Sequence, residues 1–255
     1  METLTVERDG PVLRIWLDRP AKRNPLNGTA LKEITAVFTS VGEDPDVRVV
    51  VLGGRGPSFS GGADRSDPPG ASSPEPTARE RRWVAQLGRR AARAVDDCEV
   101  PTIARLHGHV VGGAAVLAVA CDFRIAADDT SIWIPEVDLG IPLTWGAVPM
   151  LVRECGMARA RQTIVLCDRI PVVDAERWGL VHRVVPAADL DAAVEEWAQR
   201  LAAKPSAAMS MTTSQLRAYG AVFRSGDLTE LDGDLLLGAS QSAEARTAFG
   251  GRSRD

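Results

Sequence analysis

Three short segments carry residue types that could do chemistry. The first is Phe59-Ser60-Gly61-Gly62-Ala63-Asp64. The second is His107-Gly108-His109-Val110-Val111-Gly112-Gly113-Ala114-Ala115, and the third is Pro135-Glu136-Val137-Asp138-Leu139-Gly140-Ile141-Pro142. Glycine and alanine let a ligand approach the main chain closely. An N–H in a glycine-rich turn and another at a helix start can point at one oxygen. With the helix dipole, such a pair stabilises negative charge developing there. Losing one donor of this kind costs about 2.7–4 kcal/mol of transition-state stabilisation. Taken singly, each glycine-rich segment reads more readily as a structural turn than as a site. Glu136 and Asp138 would share one side of an extended chain, although Asp138 also fits a cap or ion-pair partner beside the Gly140-Ile141-Pro142 turn. His107 and His109 flank Gly108 and fit local packing or hydrogen bonding better than base chemistry.

Elements must bring these segments together. Thr3 to Glu7 and Val12 to Asp18 alternate apolar and polar residues around Asp9-Gly10, which predicts a β-hairpin. Residues 28–41 place Leu31, Ile34, Val37, Phe38 and Val41 at helical spacing. Val47 to Leu52 reads as a strand that enters the loop holding the first segment. The stretch PPGASSPEP is rich in turn formers and predicts mobility. A basic helix is expected over 79–97, a strand over 102–106, a helix over 112–120, and strands over 123–127 and 131–134. Beyond Trp145 the pattern is mainly helical apart from 181–185, with an amphipathic helix over 189–203 and a leucine stripe through Leu228, Leu231 and Leu235. Strands alternating with helices predict an α/β core. The helical last quarter must bury its apolar face on that core or on a neighbouring subunit.

The 255 residues are 45% apolar and 25% charged, and 30 basic against 34 acidic residues leave a formal charge of -4. That balance gives no reason to expect nucleic-acid binding. No signal-peptide core or membrane-length apolar run is present, which predicts a cytoplasmic protein without membrane attachment. Cys98, Cys121, Cys155 and Cys167 form no CxxC pair, and no acid or thiol cluster completes a site around His107 and His109. We therefore expect reduced thiols and no metal.

In this order and spacing, the segments resemble the enoyl-CoA hydratase/isomerase (crotonase) family. The resemblance runs from Arg19-Pro20 through Ala120-Cys121-Asp122, Pro135-Glu136 and Trp178-Gly179-Leu180-Val181 to near Phe249. It implies an α/β fold: a crotonase-like spiral of ββα units over residues 1–195, and a C-terminal helical region, 196–255, that forms a trimer or a dimer of trimers. It implies no permanent cofactor, a coenzyme A thioester as substrate, and an oxyanion hole made by the N–H groups of Ala63 and Gly113. Hydratases of the family use two glutamates. Here Val116 stands in the first position and Glu136 keeps the second. Valine cannot activate water, whereas moving a double bond needs one base that removes a proton and returns it elsewhere. The resemblance thus implies an isomerase with Glu136 as base and Asp138 as a candidate second acid. Hydration, another acyl-CoA reaction, and non-catalytic CoA binding remain as alternatives.

For the nucleotide end, the resemblance points to Lys22, Arg23 and Leu26 in the RPAKRNPL loop, to Asp64 and Arg65, and to Phe249 and Arg252. The basic residue usual two places after the Asp is absent, since Ser66 occupies that position. The pocket walls are expected to include Trp83, Trp133, Leu143 and Trp145, with residues 66–78 over the acyl end.

Overall fold

The computed structural model of the protein describes residues 1–68, 75–220, 222 and 228–250, with the backbone alone at 228, 249 and 250. Strands β1 (Leu4–Asp9) and β2 (Val12–Leu17) form the expected antiparallel hairpin, with Leu4 opposite Leu17. β2 then pairs in parallel with β3 (Val49–Gly54). Next come β4 (Thr102–Leu106), β6 (Phe123–Ala127) and β9 (Arg183–Val185), giving the order β1-β2-β3-β4-β6-β9. β3 is buried along its whole length. Its continuous apolar run follows from helices lying on both faces of a parallel sheet. Val50 and Leu52 face the main core, while Val49 and Val51 meet Leu190, Ala193, Val194 and Ala198 of α7 (Leu190–Ala202).

A second, smaller sheet lies at the C-terminal ends of these strands. It comprises β5 (His109–Val111), β7 (Ser131–Trp133) and β8 (Ile170–Pro171). Each turn of the chain adds a strand to the large sheet, a short strand to the small one, and then a helix. β4, β5 and α4 (Gly113–Ala120) form one such turn; β6, β7 and α5 (Ala147–Leu166) form the next. The preceding turn starts at β3, touches the small sheet through the parallel bridge between Ser60 and Val110, and ends in helices α2 (Ala78–Ala85) and α3 (Leu87–Asp96). This is a spiral of ββα units. Helix α1 (Gly28–Ser40) packs on α3 and carries the expected apolar stripe.

The single basic helix expected over 79–97 is two helices divided at Gln86, whose amide donates to Glu230 O at 2.9 Å. β8 carries too few residues to register as a strand in the sequence. Among the described residues no helix is long and apolar enough to cross a membrane, and no cluster of metal-ligating side chains occurs. Helices α6 (Val172–Arg177) and α8 (Ser206–Gly220) precede the two last, α9 (Asp232–Ala239) and α10 (Ala243–Gly250). α9 and α10 fold back on their own chain. Asp232 accepts from Gly146 N at 2.7 Å, Asp234 pairs with Arg82 at 3.0 Å, and Ala245 is buried against Gly140. Residues 69–74, for which mobility is expected, and the basic tail 251–255 lie outside the described residues.

Candidate functional site

The loop after β2 sets the first wall. Asn24 adopts φ +52 and is 1% exposed. Its amide nitrogen donates to Arg55 O and Ser58 O at 2.8 Å each and to Phe59 O at 3.2 Å, while its oxygen accepts from Arg19 N at 2.8 Å. Asn tolerates left-handed backbone, which suits this position. Alongside, Gly61 N donates to Arg23 O at 2.8 Å, Leu26 N to Gly62 O at 2.8 Å, and Asp64 N to Leu26 O at 3.0 Å. In this parallel bridge the neighbours of Ala63 bond to Leu26, so the N–H of Ala63 faces the opposite side. There the chain meets β5. Phe59 N donates to His107 O and Ser60 N to His109 O, both at 2.9 Å. Gly62, at φ +89, lies so close to Val111 that an added Cβ would stand 2.8 Å from its carbonyl oxygen.

β5 then delivers Gly112 and Gly113 to the start of α4. Gly112 takes φ +54 and ψ -122 and donates to Trp133 O at 2.8 Å. Gly113 is the first helical residue, where an N–H has no partner within its own helix. Glu136 follows β7. Its carboxylate rests on Gly112, with Oε1 2.7 Å from the place a Cβ there would occupy. Oε2 is buried without a hydrogen-bond partner. Burial, opposed only by a bond from its own backbone, pushes the carboxyl up to about 7.

These walls enclose a cavity of about 310 Å³. Gly61, Gly62, Ala63, Gly112 and Gly113 line it together with Glu136, and Leu139 and Ile141 add apolar surface. Among the described residues, Arg23, Arg65 and Arg169 are the charged side chains that line the cavity with Glu136, so the lining is cationic; His109 also contributes. The lining thus combines main-chain donors, one uncompensated carboxylate and a positive rim. It can move protons on a bound anion-bearing molecule and stabilise an oxyanion beside it.

Other expected residues fall elsewhere. Residues 137–139 form a 3-10 turn rather than an extended segment, so the i, i+2 relation fails and Asp138 points outward, exposed, away from the cavity. Lys22 is exposed in the turn Pro20–Lys22. Leu26 is fully buried and acts through its main chain. Asp64 is 3% exposed and spent locally: it pairs with Arg19 at 2.8 Å and accepts from Ser66 N and Oγ at 2.9 and 2.7 Å. Burial opposes its charge, yet the bonds from Ser66, Arg19 and Asp67 N hold its carboxyl below the usual range. The Phe249 side chain and Arg252 lie outside the described residues. His107 bonds Gly56 O at 2.8 Å and Arg105 at 3.0 Å, and burial lowers its imidazole below the ordinary value, as a local packing role requires.

Of the four expected wall residues, Trp133 alone lines this cavity. Leu143 is core, and Trp83 lines a separate hollow beside α2. Trp145 is a wedge: at φ +64 its indole lies between Gly88 of α3 and Gly113, filling the place of a side chain at either. Val116 is 3% exposed, one helical turn beyond Gly113. Asn24 and Arg169 escape sequence reading. The Arg-Asn-Pro run marks Asn24 as a turn residue, but nothing local to Arg169 signals its place.

Residues 7–246 match the sequence profile of the family described as enoyl-CoA hydratase/isomerase. A Mycobacterium tuberculosis protein named "Probable enoyl-CoA hydratase" is 36% identical over 189 residues, 74% of this chain and 71% of its own length. The crotonyl-CoA hydratase of Syntrophomonas wolfei is 34% identical over 83% of this chain and 80% of its own. Among solved structures, an enoyl-CoA hydratase/isomerase from Xanthobacter autotrophicus Py2 superposes with a TM-score of 0.88 at 28% identity, covering 99% of this chain and 93% of that one.

Proposed function

The chain belongs to the enoyl-CoA hydratase/isomerase family and is an enzyme, and on that premise we propose that it moves a double bond within an acyl-CoA thioester, with Glu136 as the single base. One observation carries this reading: Glu136 is the only carboxylate lining the cavity among the described residues, and its Oε2 is without a partner. The thioester oxygen takes the N–H groups of Ala63 and Gly113. As charge gathers on that oxygen, the carbon between the carbonyl and the double bond of a 3-enoyl thioester becomes acidic. Glu136 removes a proton there, the electron pair spreads over a dienolate, and the same carboxyl returns the proton to C4. The double bond ends conjugated with the carbonyl, with no atom gained or lost. A carboxyl pushed up to about 7 suits both halves of this exchange. Trp145 fills the space beside Gly113, and one turn on α4 carries the buried, apolar Val116 rather than an acid.

Arg23 and Arg65 flank Ala63 and suit the phosphates of coenzyme A. For the assembly we propose a homotrimer or a dimer of trimers, with residues 196–255 contributing to its interfaces. Met211, Leu216 and Tyr219 of α8, 68%, 69% and 78% exposed, supply apolar surface for such contacts.

The experiment offers a 3-enoyl-CoA to purified protein and follows absorbance of the conjugated 2-enoyl thioester. Isomerisation that Glu136→Gln abolishes, while calorimetry still detects acyl-CoA binding, is the expected result. Equal turnover by Glu136→Gln would overturn it. Hydration is the second reading, favoured by the relatives named hydratases. Loss of crotonyl-CoA absorbance at rates above those of isomerisation would establish it instead.

A further inference from the structure

Arg169 lines the same cavity as Arg23, Arg65 and Glu136. It directly precedes β8, and the β7–β8 register sets Ile132 against Ile170, which leaves Trp133 and Arg169 as the next facing pair. Its guanidinium carbon lies 4.6 Å above the Trp133 ring. That ring is itself fixed, since its Nε1 donates to Cys167 O at 2.7 Å. Several buried or half-buried arginines elsewhere are paired with carboxylates: Arg14 with Glu195, Arg19 with Asp64, Arg105 with Asp191, Arg124 with Glu154 and Arg153 with Asp96, whereas Arg169 is exposed to solvent. Among the described residues no carboxylate lies within ion-pairing distance of Arg169. Leu139 and Ile141 contribute apolar surface to the same cavity.

A guanidinium without an ion pair, lying over an indole in this cavity, is poorly matched to a plain hydrocarbon tail. Methylene groups packed there would strip its water and return no hydrogen bond. A carboxylate is matched, because its two oxygens accept from the guanidinium fork side by side. We propose that Arg169, seated on Trp133, receives the far end of the acyl group, and that the preferred substrate is the mono-CoA thioester of a dicarboxylic acid. This rests on the reading of the cavity as an acyl-CoA site. It deepens that reading by naming the acyl class.

Binding separates this inference from the proposed reaction. Hexanoyl-CoA and hexanedioyl-CoA have equal chain length, differ in the terminal carboxylate and contain no double bond, so neither can be isomerised. Calorimetry of the full chain with each ligand gives the ratio of dissociation constants. Wild type is expected to prefer hexanedioyl-CoA by roughly ten-fold or more, the yield of one charge-assisted pair. Arg169→Met is expected to erase the preference, and Arg169→Lys to retain part of it. Circular dichroism on each variant checks that the fold is intact. A ratio near one in wild type overturns the inference, as does a ratio unchanged in Arg169→Met. Equal weakening of both ligands by Arg169→Met also overturns it, assigning Arg169 to the phosphates of coenzyme A. Turnover of 3-hexenoyl-CoA and its ω-carboxylate is then measured separately. No turnover of either, with the binding preference intact, would defeat the isomerase reading and leave the subsite standing.

Discussion

The carboxylate of Glu136 is seated on the α-carbon of Gly112, with Oε1 2.7 Å from where a β-carbon would be. The residue that starts the α4 turn therefore also fixes where the acid can stand. Gly112→Ala adds that β-carbon at φ +54 and ψ -122, a region nearly closed to side chains. We predict a loss of about 1–3 kcal/mol in unfolding free energy from the backbone alone. Displacement of the carboxylate should lower kcat roughly ten-fold or more, since general base catalysis depends on reach within hydrogen-bond distance. Chemical denaturation and steady-state kinetics check the two parts. A variant as active as wild type would show that the acid does not need this seat.

Burial pushes the Glu136 carboxyl up to about 7. The base form is required for proton removal, so kcat/KM should rise with pH to a plateau, with a midpoint near that value in the free enzyme. Stability runs the other way. The folded state holds the proton more tightly than the unfolded chain, whose carboxyl titrates near its ordinary 4.5. The contribution is thus fully present below that value and is lost as pH rises through about 7. Glu136→Gln should flatten this part of the stability profile. Thermal unfolding across pH 4 to 8, roughly the span between the two titrations, measures the difference.

Asn24 closes the loop beneath Ala63 by donating to three carbonyls, those of Arg55, Ser58 and Phe59. Asn24→Gly keeps the left-handed backbone accessible and removes only the bonds. We predict a cost of about 2–4 kcal/mol, because buried carbonyls lose their donor. At this chain length that is roughly a 5–10 °C fall in midpoint. Acyl-CoA affinity should fall with it, since Ala63 is carried by the same loop. A fall in midpoint below 1–2 °C, about the size of a surface change, would show the loop to be held by other contacts.

Much of this was legible in residue order. The β1–β2 hairpin, the apolar stripe of α1 and the buried run of β3 each carry a local periodicity, and each forms as expected. Glu136, Ala63 and Gly113 reach one cavity, as the order of their segments implies. Asp138 misled because alternation holds only in extended chain, and residues 137–139 coil instead. Ser66, read as a missing cation, is a donor to Asp64. Arg169 had no local signature at all, since its position depends on a two-residue strand pairing with β7. The role of Trp145 depended on two glycines, one 57 residues before it and one 32, which no periodicity connects.

Trp145 leads to the last prediction. Its indole fills the space beside Gly113, and Val116 lies one turn along the same face of α4. A glutamate at 116 would be buried there under an aromatic ring, without water to position. Val116→Glu alone should therefore destabilise the fold, by about 1–3 kcal/mol for a buried polar group without a partner, and add no crotonyl-CoA hydration. Removing the ring as well, in Val116→Glu with Trp145→Gly, opens a place for a second acid and a water and frees the φ +64 backbone from a bulky side chain. Hydration should then exceed that of either single variant, measured as loss of enoyl thioester absorbance. If Val116→Glu by itself gave a hydratase, the wedge would have no part in selecting the reaction, and the valine alone would account for the missing chemistry.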